Sequence, residues 1–444
     1  MLNSMLIVII LFCFWSEYYG HVTSVEDNTD VLIGTPRRTH VFKESNTLLS
    51  LRRDITKQDR AQHDHHHEVI FVIQQRNMKE LTSILHDISD PYSSNYGQHW
   101  SREDVVDFTS NPDGRDAVVS YLNSNGASVV SETLAGEYVT ALAPVKVWEK
   151  IFKTEFYSYI VKHYDGSVHN VIRAEDYWIP RELDKHVASV LNTIQLLTPI
   201  PISASRVPIA SNIGKFASTG APQGYMTPHT LRDYYNMSKA MGSVNSTQMI
   251  YASSNQYYSP KNLADFQREL GFPVQPAVLE HGGHSNDEIC ATNNWLCAEG
   301  NLDMQYIATM SPLSPTMFWY SDGSFTEFLI DISNIVNPPK VISISYGTIE
   351  SDMTASEYRA FDDIAIKLSI MGTTIVAASG DDGANPFYVG SDISKCAYFV
   401  SFPAASQYVL AVGGTTVSQV LYFYRDCYIF IYIPPRNKCI SLMK

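Results

Sequence analysis

Glu299-Gly300-Asn301-Leu302-Asp303 sets two carboxylates four residues apart. On a helix that spacing puts both on one face, within interaction range. In water such a pair is only a solvated acidic patch, the commoner outcome for this spacing. Partly buried, two close carboxylates cannot both ionise easily, so one takes up a proton well above the ordinary carboxylate range. The other remains a base in acid, where imidazole is already protonated. A third acid, Asp381, stands in the loop Ser379-Gly380-Asp381-Asp382-Gly383.

Two other tracts compete. His63-Asp64-His65-His66-His67-Glu68 has the composition of a metal tract. Adjacent side chains of an extended chain point to opposite faces, so these histidines do not readily share one ion, and a solvated loop is expected. His281-Gly282-Gly283-His284, with Asp287 and Glu288, has the His-Gly element of a subtilisin, but the Asp-Ser/Thr-Gly strand end and Gly-Thr-Ser-Met turn that must accompany it are not written. A loop is expected there too, and no metal site is assigned.

The elements around the acids read as α/β. Val341 to Tyr346 is an apolar strand, Thr354 with Glu357 forms a capping box, and Tyr358, Phe361, Ala365, Leu368 and Met371 mark a buried helical face that Gly372 ends. Thr373 to Ala378 is a second apolar strand, which completes a βαβ unit. Ligands of such sheets bind beyond the carboxyl ends of the strands, where the Asp381 loop falls. Residues 68–197 alternate differently: a strand at Val69–Ile73, helices at Lys79–Ile88, after Ser101 and at Arg115–Asn123, strands near 128–131 and 138–143, a helix at Val145–Phe152, then a hairpin across Asp165-Gly166. That order predicts an α+β sandwich of ferredoxin-like kind. Residues 21–67 read as irregular, and 198–226, rich in Pro, Ser, Ala and Gly, as an exposed linker.

Composition narrows the classes. The chain has 444 residues, 45% of them hydrophobic, so disorder is excluded for most of it and two or three domains are expected. With a net charge of −14 and no basic stripe, nucleic-acid binding lacks its electrostatic drive. Leu6 to Trp15 is an apolar run of signal-peptide length, so residues 1–20 are read as a signal and the chain as bound for the secretory pathway, extracellular or lysosomal/vacuolar. No later segment is long and apolar enough to span a bilayer. The sequons at Asn236 and Asn245 fit glycosylation there. Besides Cys13, five cysteines remain, and a local Cys290–Cys297 disulfide is expected.

Cys297-Ala298-Glu299-Gly300-Asn301-Leu302-Asp303-Met304-Gln305 resembles the Glu-x-x-Leu-Asp-x-Gln helix of the sedolisins, the serine-carboxyl peptidases that include tripeptidyl peptidase. Ile344-Ser345-Tyr346-Gly347 is similar to their substrate-pairing strand, and Ala378-Ser379-Gly380-Asp381 to their oxyanion loop. Phe402-Pro403-Ala404-Ala405-Ser406 and Val412-Gly413-Gly414-Thr415 resemble the next element. Asp90-Pro91-Tyr92 through Gly97 resembles the signature of the activation propeptide, and Thr227-Pro228-His229 the start of the mature domain. The resemblance implies a subtilisin-like parallel sheet with flanking helices over 227–420, incomplete at its C-terminus, behind an activation propeptide over 68–197. It makes Glu299 the general base, Asp303 its orienting partner, Asp381 the oxyanion donor and Ser345, Tyr346 and Gly347 the substrate strand. Peptides are the implied substrates, the propeptide an intramolecular inhibitor, and acid the working condition.

The family's Ser-Gly-Thr-Ser-Ala-Ser nucleophile turn is not found in these residues, so no nucleophile is assigned. By the family's order, that turn and its C-terminal calcium loop would follow Lys444. Residues 421–444, dense in aromatics, match nothing in the family, and a shortened or misread gene accounts for them most simply. As written, the chain is expected not to turn over peptides. A noncatalytic pseudoenzyme or a propeptide-type inhibitor of a related peptidase is the alternative. An aspartic protease would need two Asp-Thr/Ser-Gly loops, which are not found.

Overall fold

The computed structural model describes residues 39–46, 55–162, 168–196, 200–201, 227–237, 239–350, 353–380 and 400–413. Asp381, the signal segment, residues 421–444 and every cysteine except Cys290 and Cys297 lie outside them.

The N-terminal unit contains β1 (His40–Ser45), β2 (Ile55–Arg60), β3 (His66–Ile73), α1 (Met78–Ser89), α2 (Arg102–Thr109), α3 (Pro112–Ser124), β4 (Ser128–Glu132), β5 (Tyr138–Pro144), α4 (Val145–Phe152), β6 (Tyr157–Lys162), β7 (Val168–Arg173), β8 (Asp176–Pro180) and β9 (Val187–Leu191). Its main sheet is antiparallel, in the order β4-β5-β3-β9. Ser101 and Asp104 close the expected capping box of α2. The segment expected to be irregular differs: β1 pairs with β8 and β2 with β6, so residues 40–60 contribute two strands to this unit. Their polar, non-alternating sequences hide strands whose partners lie about a hundred residues downstream.

β3 shows why its sequence is an unbroken apolar run. Val69, Phe71 and Ile73 pack with Trp148 and Phe152 of α4 and with Val118 and Leu122 of α3. Ile70 and Val72, on the opposite face, belong with Tyr138 and Leu191 to the core of the following domain. A strand buried on both faces loses its period of two.

That domain contains α5 (Pro228–Tyr234), β11 (Gln248–Ala252), α6 (Pro260–Glu269), β12 (Leu279–His281), α7 (Asp287–Thr292), α8 (Ala298–Met310), β13 (Thr316–Tyr320), α9 (Phe325–Ser333), β14 (Val341–Ile344), β15 (Tyr346–Ile349), α10 (Ala355–Ile370), β16 (Thr374–Ala378), β17 (Ser401–Phe402) and β18 (Leu410–Val412), preceded by the short β10 (Ile200–Pro201). Six strands form a parallel sheet ordered β12-β13-β11-β14-β16-β18. Its central strand β11, buried throughout, and its flanking helices give the α/β class that the βαβ reading predicts. Two details differ. The strand read through Tyr346 stops at Ile344, Ser345 interrupts it, and β15 then joins a separate antiparallel sheet, β10-β15-β17. The capping box read at Thr354 is half made: its hydroxyl accepts from the Glu357 amide at 3.3 Å, while the Glu357 carboxyl turns into the domain interface. A complete box, Ser324 with Glu327, caps α9 instead.

The two domains meet on α9 and α10. Leu81, Leu85 and Ile88 of α1 pack on Ile366 and Ile370 of α10. The Tyr138 hydroxyl donates to the Ala360 carbonyl at 3.2 Å, and Lys367 pairs with Glu137 at 3.0 Å with both side chains buried. Arg102 donates to the carbonyls of Ser333, the last residue of α9, and Ile335, just after it. Glu44 of β1 accepts the Ser356 amide in the first turn of α10, where the helix dipole favours an anion.

Candidate active site

Parallel strands aim their carboxyl ends at one edge, and the candidate residues gather there. Ser253 follows β11, Ser345 follows the neighbouring β14, and Ser379 and Gly380 follow β16, next in order. The first turns of α8 reach this edge, and farther along the helix the Ile307 carbonyl accepts from Gln248 at the opposite end of β11. The helix begins directly after Cys297, whose disulfide to Cys290 ties the preceding turn to α7. The Glu299 amide donates to the Gln256 side chain at 3.1 Å, and the Ser259 amide to the Asn301 side chain at 2.8 Å, so the loop after β11 holds the first turn of α8 from two sides. Gly300 is required by proximity: a Cβ there would collide with the Tyr257 carbonyl.

Glu299 is 2% exposed, so the solvated-face reading does not apply. Asp303, one turn on, is partly exposed as a residue, but its Oδ2 is closed off from solvent and has no partner among the described residues. Its Oδ1 accepts from the Ser345 hydroxyl at 2.8 Å. Burial pushes the Asp303 carboxyl well above the usual range, against the opposing effect of that hydrogen bond. The Tyr346 phenol is buried too, and its acidity is suppressed first by burial and then by the charges of Glu299 and Asp303. At the strand ends the two acids of α8 thus stand one turn apart, with Asp303 tied to Ser345.

β15 carries the other expected group. Its Tyr346 and Gly347 pair antiparallel with Pro201 and Ile200 of β10, the segment that follows the N-terminal domain. The linker expected over 198–226 therefore starts as a strand on the edge assigned to substrate. Asp381 follows β16 by three residues, beside β14 in the strand order, and lies outside the described residues. Asn236 and Asn245 are exposed, as an acceptor must be.

The competing tracts take ordinary structural roles. Asp64 pairs with Lys146 at 2.6 Å, and the half-buried His67 ring is hydrogen-bonded to the Asn192 carbonyl at 2.8 Å, its pKa lowered by burial to about 4. His281 stacks on Trp319 and His284 on Tyr320. Among the described residues no three His, Cys, Asp or Glu side chains could hold a metal ion, so none of them fits a calcium site and no chemistry is routed through one. No helix among them is long and apolar enough to cross a membrane. Gln256, Tyr251 and the inward role of Tyr346 escape sequence reasoning. The signal for the first was present, since polar residues directly after a parallel strand lie at its carboxyl end.

A parallel sheet with the acid-bearing start of a flanking helix at its carboxyl edge, joined to a separate N-terminal domain that covers α9 and α10, defines a subtilase-type fold with a prodomain. Residues 53–196 match Pro-kumamolisin, activation domain, and residues 245–427 match the Subtilase family. The chain is 29% identical over 422 residues to tripeptidyl-peptidase 1 of Dictyostelium discoideum, covering 86% of this chain and 67% of that protein. It is 28% identical over 390 residues to physarolisin of Physarum polycephalum, covering 84% and 63%. A solved Pseudomonas sedolisin, a serine-carboxyl proteinase, aligns with TM-score 0.35 and 24% identity over 46% of this chain and 56% of that one, too partial a likeness to argue from. The chain thus spans roughly two thirds of the length of these curated relatives. In both parts it is similar to the sedolisin-type serine-carboxyl peptidases.

Proposed function

We propose that the protein is the zymogen of a serine-carboxyl peptidase that cleaves peptide bonds in acid once its propeptide is removed. The observation that carries this reading is the acid pair on α8, buried one turn apart at the strand ends and fixed on one side by Ser345. Glu299 takes the proton of a serine hydroxyl and becomes neutral, Asp303 orients it, and Asp381, protonated, donates its O–H to the tetrahedral oxygen that takes up the negative charge. Substrate adds as a strand to Tyr346 and Gly347 of β15, which give it backbone hydrogen bonds in register.

Before cleavage that edge is occupied. β10 lies on it with the geometry of a bound peptide, which makes the propeptide an intramolecular inhibitor. The βαββαβ order of the N-terminal domain, with sheet order β4-β5-β3-β9, supports a ferredoxin-like prodomain. The secretory route, with a lysosomal or extracellular end, rests on the apolar N-terminal run and the two exposed sequons. Because no Ser-Gly-Thr-Ser-Ala-Ser turn is written in residues 1–444, these residues alone do not turn over peptides, and the calcium of the family is not held by the acids described. The second reading is a noncatalytic binder. Assay of the full-length protein on unstructured peptides separates the two: acid-dependent hydrolysis abolished by Glu299→Gln supports the peptidase, and tight binding of peptides without hydrolysis supports the binder.

A further inference from the structure

Helix α8 opens without the cap that its own sequence would ordinarily supply. The first amides of a helix have no partner within it, and a Ser, Thr, Asp or Asn just before the helix usually accepts from one of them. Here that position is Cys297, whose sulfur is bonded to Cys290 and whose side chain makes no cap. The acceptor comes from another element. Gln256, 1% exposed in the loop after β11, accepts the Glu299 amide on its side-chain oxygen at 3.1 Å, and its Nε2 donates to the Trp295 carbonyl at 3.0 Å. These two bonds fix the orientation of the Gln256 amide, since the reverse would set oxygen against a carbonyl and nitrogen against an N–H. On either side the Tyr257 amide donates to the Leu296 carbonyl at 2.7 Å and the Ser259 amide to Asn301 at 2.8 Å. Of these contacts, only that of Gln256 falls on the residue read as the base. The cap is also neutral. An Asp or Glu in its place would set a further negative charge beside Glu299 and Asp303 and disfavour an ionised base. A neutral oxygen leaves the positive end of the helix dipole to the Glu299 carboxylate, which stands in the first turn.

We propose that Gln256 is a positioning residue for the base: its side-chain amide ties the Glu299 main chain to the end of β11 and so holds the Glu299 carboxylate where the reaction needs it. The ionisable groups that bear on this end of α8 are Asp303 on the helix itself and Tyr346 of β15, whose phenol is affected by both acids. Gln256 adds no charge to them. The proposal rests on the peptidase reading and deepens it.

Two replacements test it. Gln256→Met fills the same space with no hydrogen bond. Gln256→Glu keeps both bonds while its carboxyl is protonated and loses the one to Trp295 when it ionises. With the full-length protein on an unstructured peptide in acid, Gln256→Met is expected to lower kcat about 10²-fold with KM little changed, as a small misplacement of a reacting group does. Gln256→Glu is expected to stay near wild type at the acid end and to fall to the level of Gln256→Met as pH rises. A kcat untouched by Gln256→Met, a change confined to KM, or a Gln256→Glu that follows Gln256→Met at every pH would overturn the proposal. The contact itself is read without turnover, by hydrogen exchange in the 444-residue chain. Protection of the Glu299 amide should be lost in Gln256→Met, while the Tyr257 amide keeps its own, and should persist in Gln256→Glu in acid. Unchanged protection at Glu299, or equal loss at both amides in both variants, would reduce Gln256 to a packing residue and overturn the proposal. Absence of acid hydrolysis by the wild-type full-length protein would instead count against the peptidase reading, and the exchange result would stand apart from it.

Discussion

Two sets of buried carboxylates, one at the domain interface and one at the strand ends, have been solved by the fold in different ways. At the interface, burial pushes Glu137 up, but the Lys367 charge and the Thr133 hydroxyl prevail, and its pKa ends below the ordinary value. On α8 no cation answers Asp303, and its pKa ends above the ordinary value. Burial therefore does not decide the protonation state; the counter-charge does. The paired acid is fixed as an anion and holds two domains together. The unpaired one takes up a proton above the ordinary carboxylate range. Glu357 resembles the second kind although it sits in the interface: burial first, then Glu327, raises it to about 8, and the nearby Arg173 only partly offsets them.

The largest expected effect breaks the first member of the comparison. Lys367→Met leaves Glu137 buried and unpaired, and should cost about 4 kcal/mol in denaturant unfolding at neutral pH. The sign with pH follows from the lowered Glu137 value. Stability from the pair is present above the unfolded carboxylate pKa and is lost as pH falls through the folded one, so wild type and variant should converge in strong acid. Equal losses at every pH would contradict the ion-pair account. Next in size, Gly300→Ala drives a methyl into the Tyr257 carbonyl and should cost about 2 kcal/mol, with the Asp303 titration displaced because the helix must shift. A neutral outcome would show that α8 is not pinned where the acid pair needs it. Smallest, and opposite in sign, is Glu357→Gln. The native carboxyl is raised, so its favourable neutral form is fully present below the unfolded pKa and lost as pH rises through about 8. The variant should match wild type near pH 4 and exceed it by a growing margin as pH rises towards 8 in thermal unfolding. A destabilised variant at pH 8 would mean that Arg173 holds Glu357 as an anion.

The βαβ unit and the helix bearing both acids are legible in the sequence because their signals are local: an apolar strand, a helical period, a glycine stop. The spacing from Glu299 to Asp303 likewise needs only the pitch of a helix. β1 and β2 are not legible, since a strand such as Ile55–Arg60 is stabilised by β6, far along the chain, and carries little pattern of its own. Thr354 and Glu357 mislead for a related reason: the spacing fits a capping box, but the prodomain brings Arg173 near the carboxyl, and tertiary contact overrides the local motif. The break at Ser345 was hidden by the apolar residues on either side, although it is this break that turns a hydroxyl toward Asp303.

The most direct test of the central claim, that a buried acid pair does the work of a histidine, is the pH dependence of kcat/KM for the full-length protein on an unstructured peptide, with Glu299→Gln in parallel. Hydrolysis that peaks in acid and is lost in the variant is the result predicted. A neutral optimum, or a variant as fast as wild type, would contradict it.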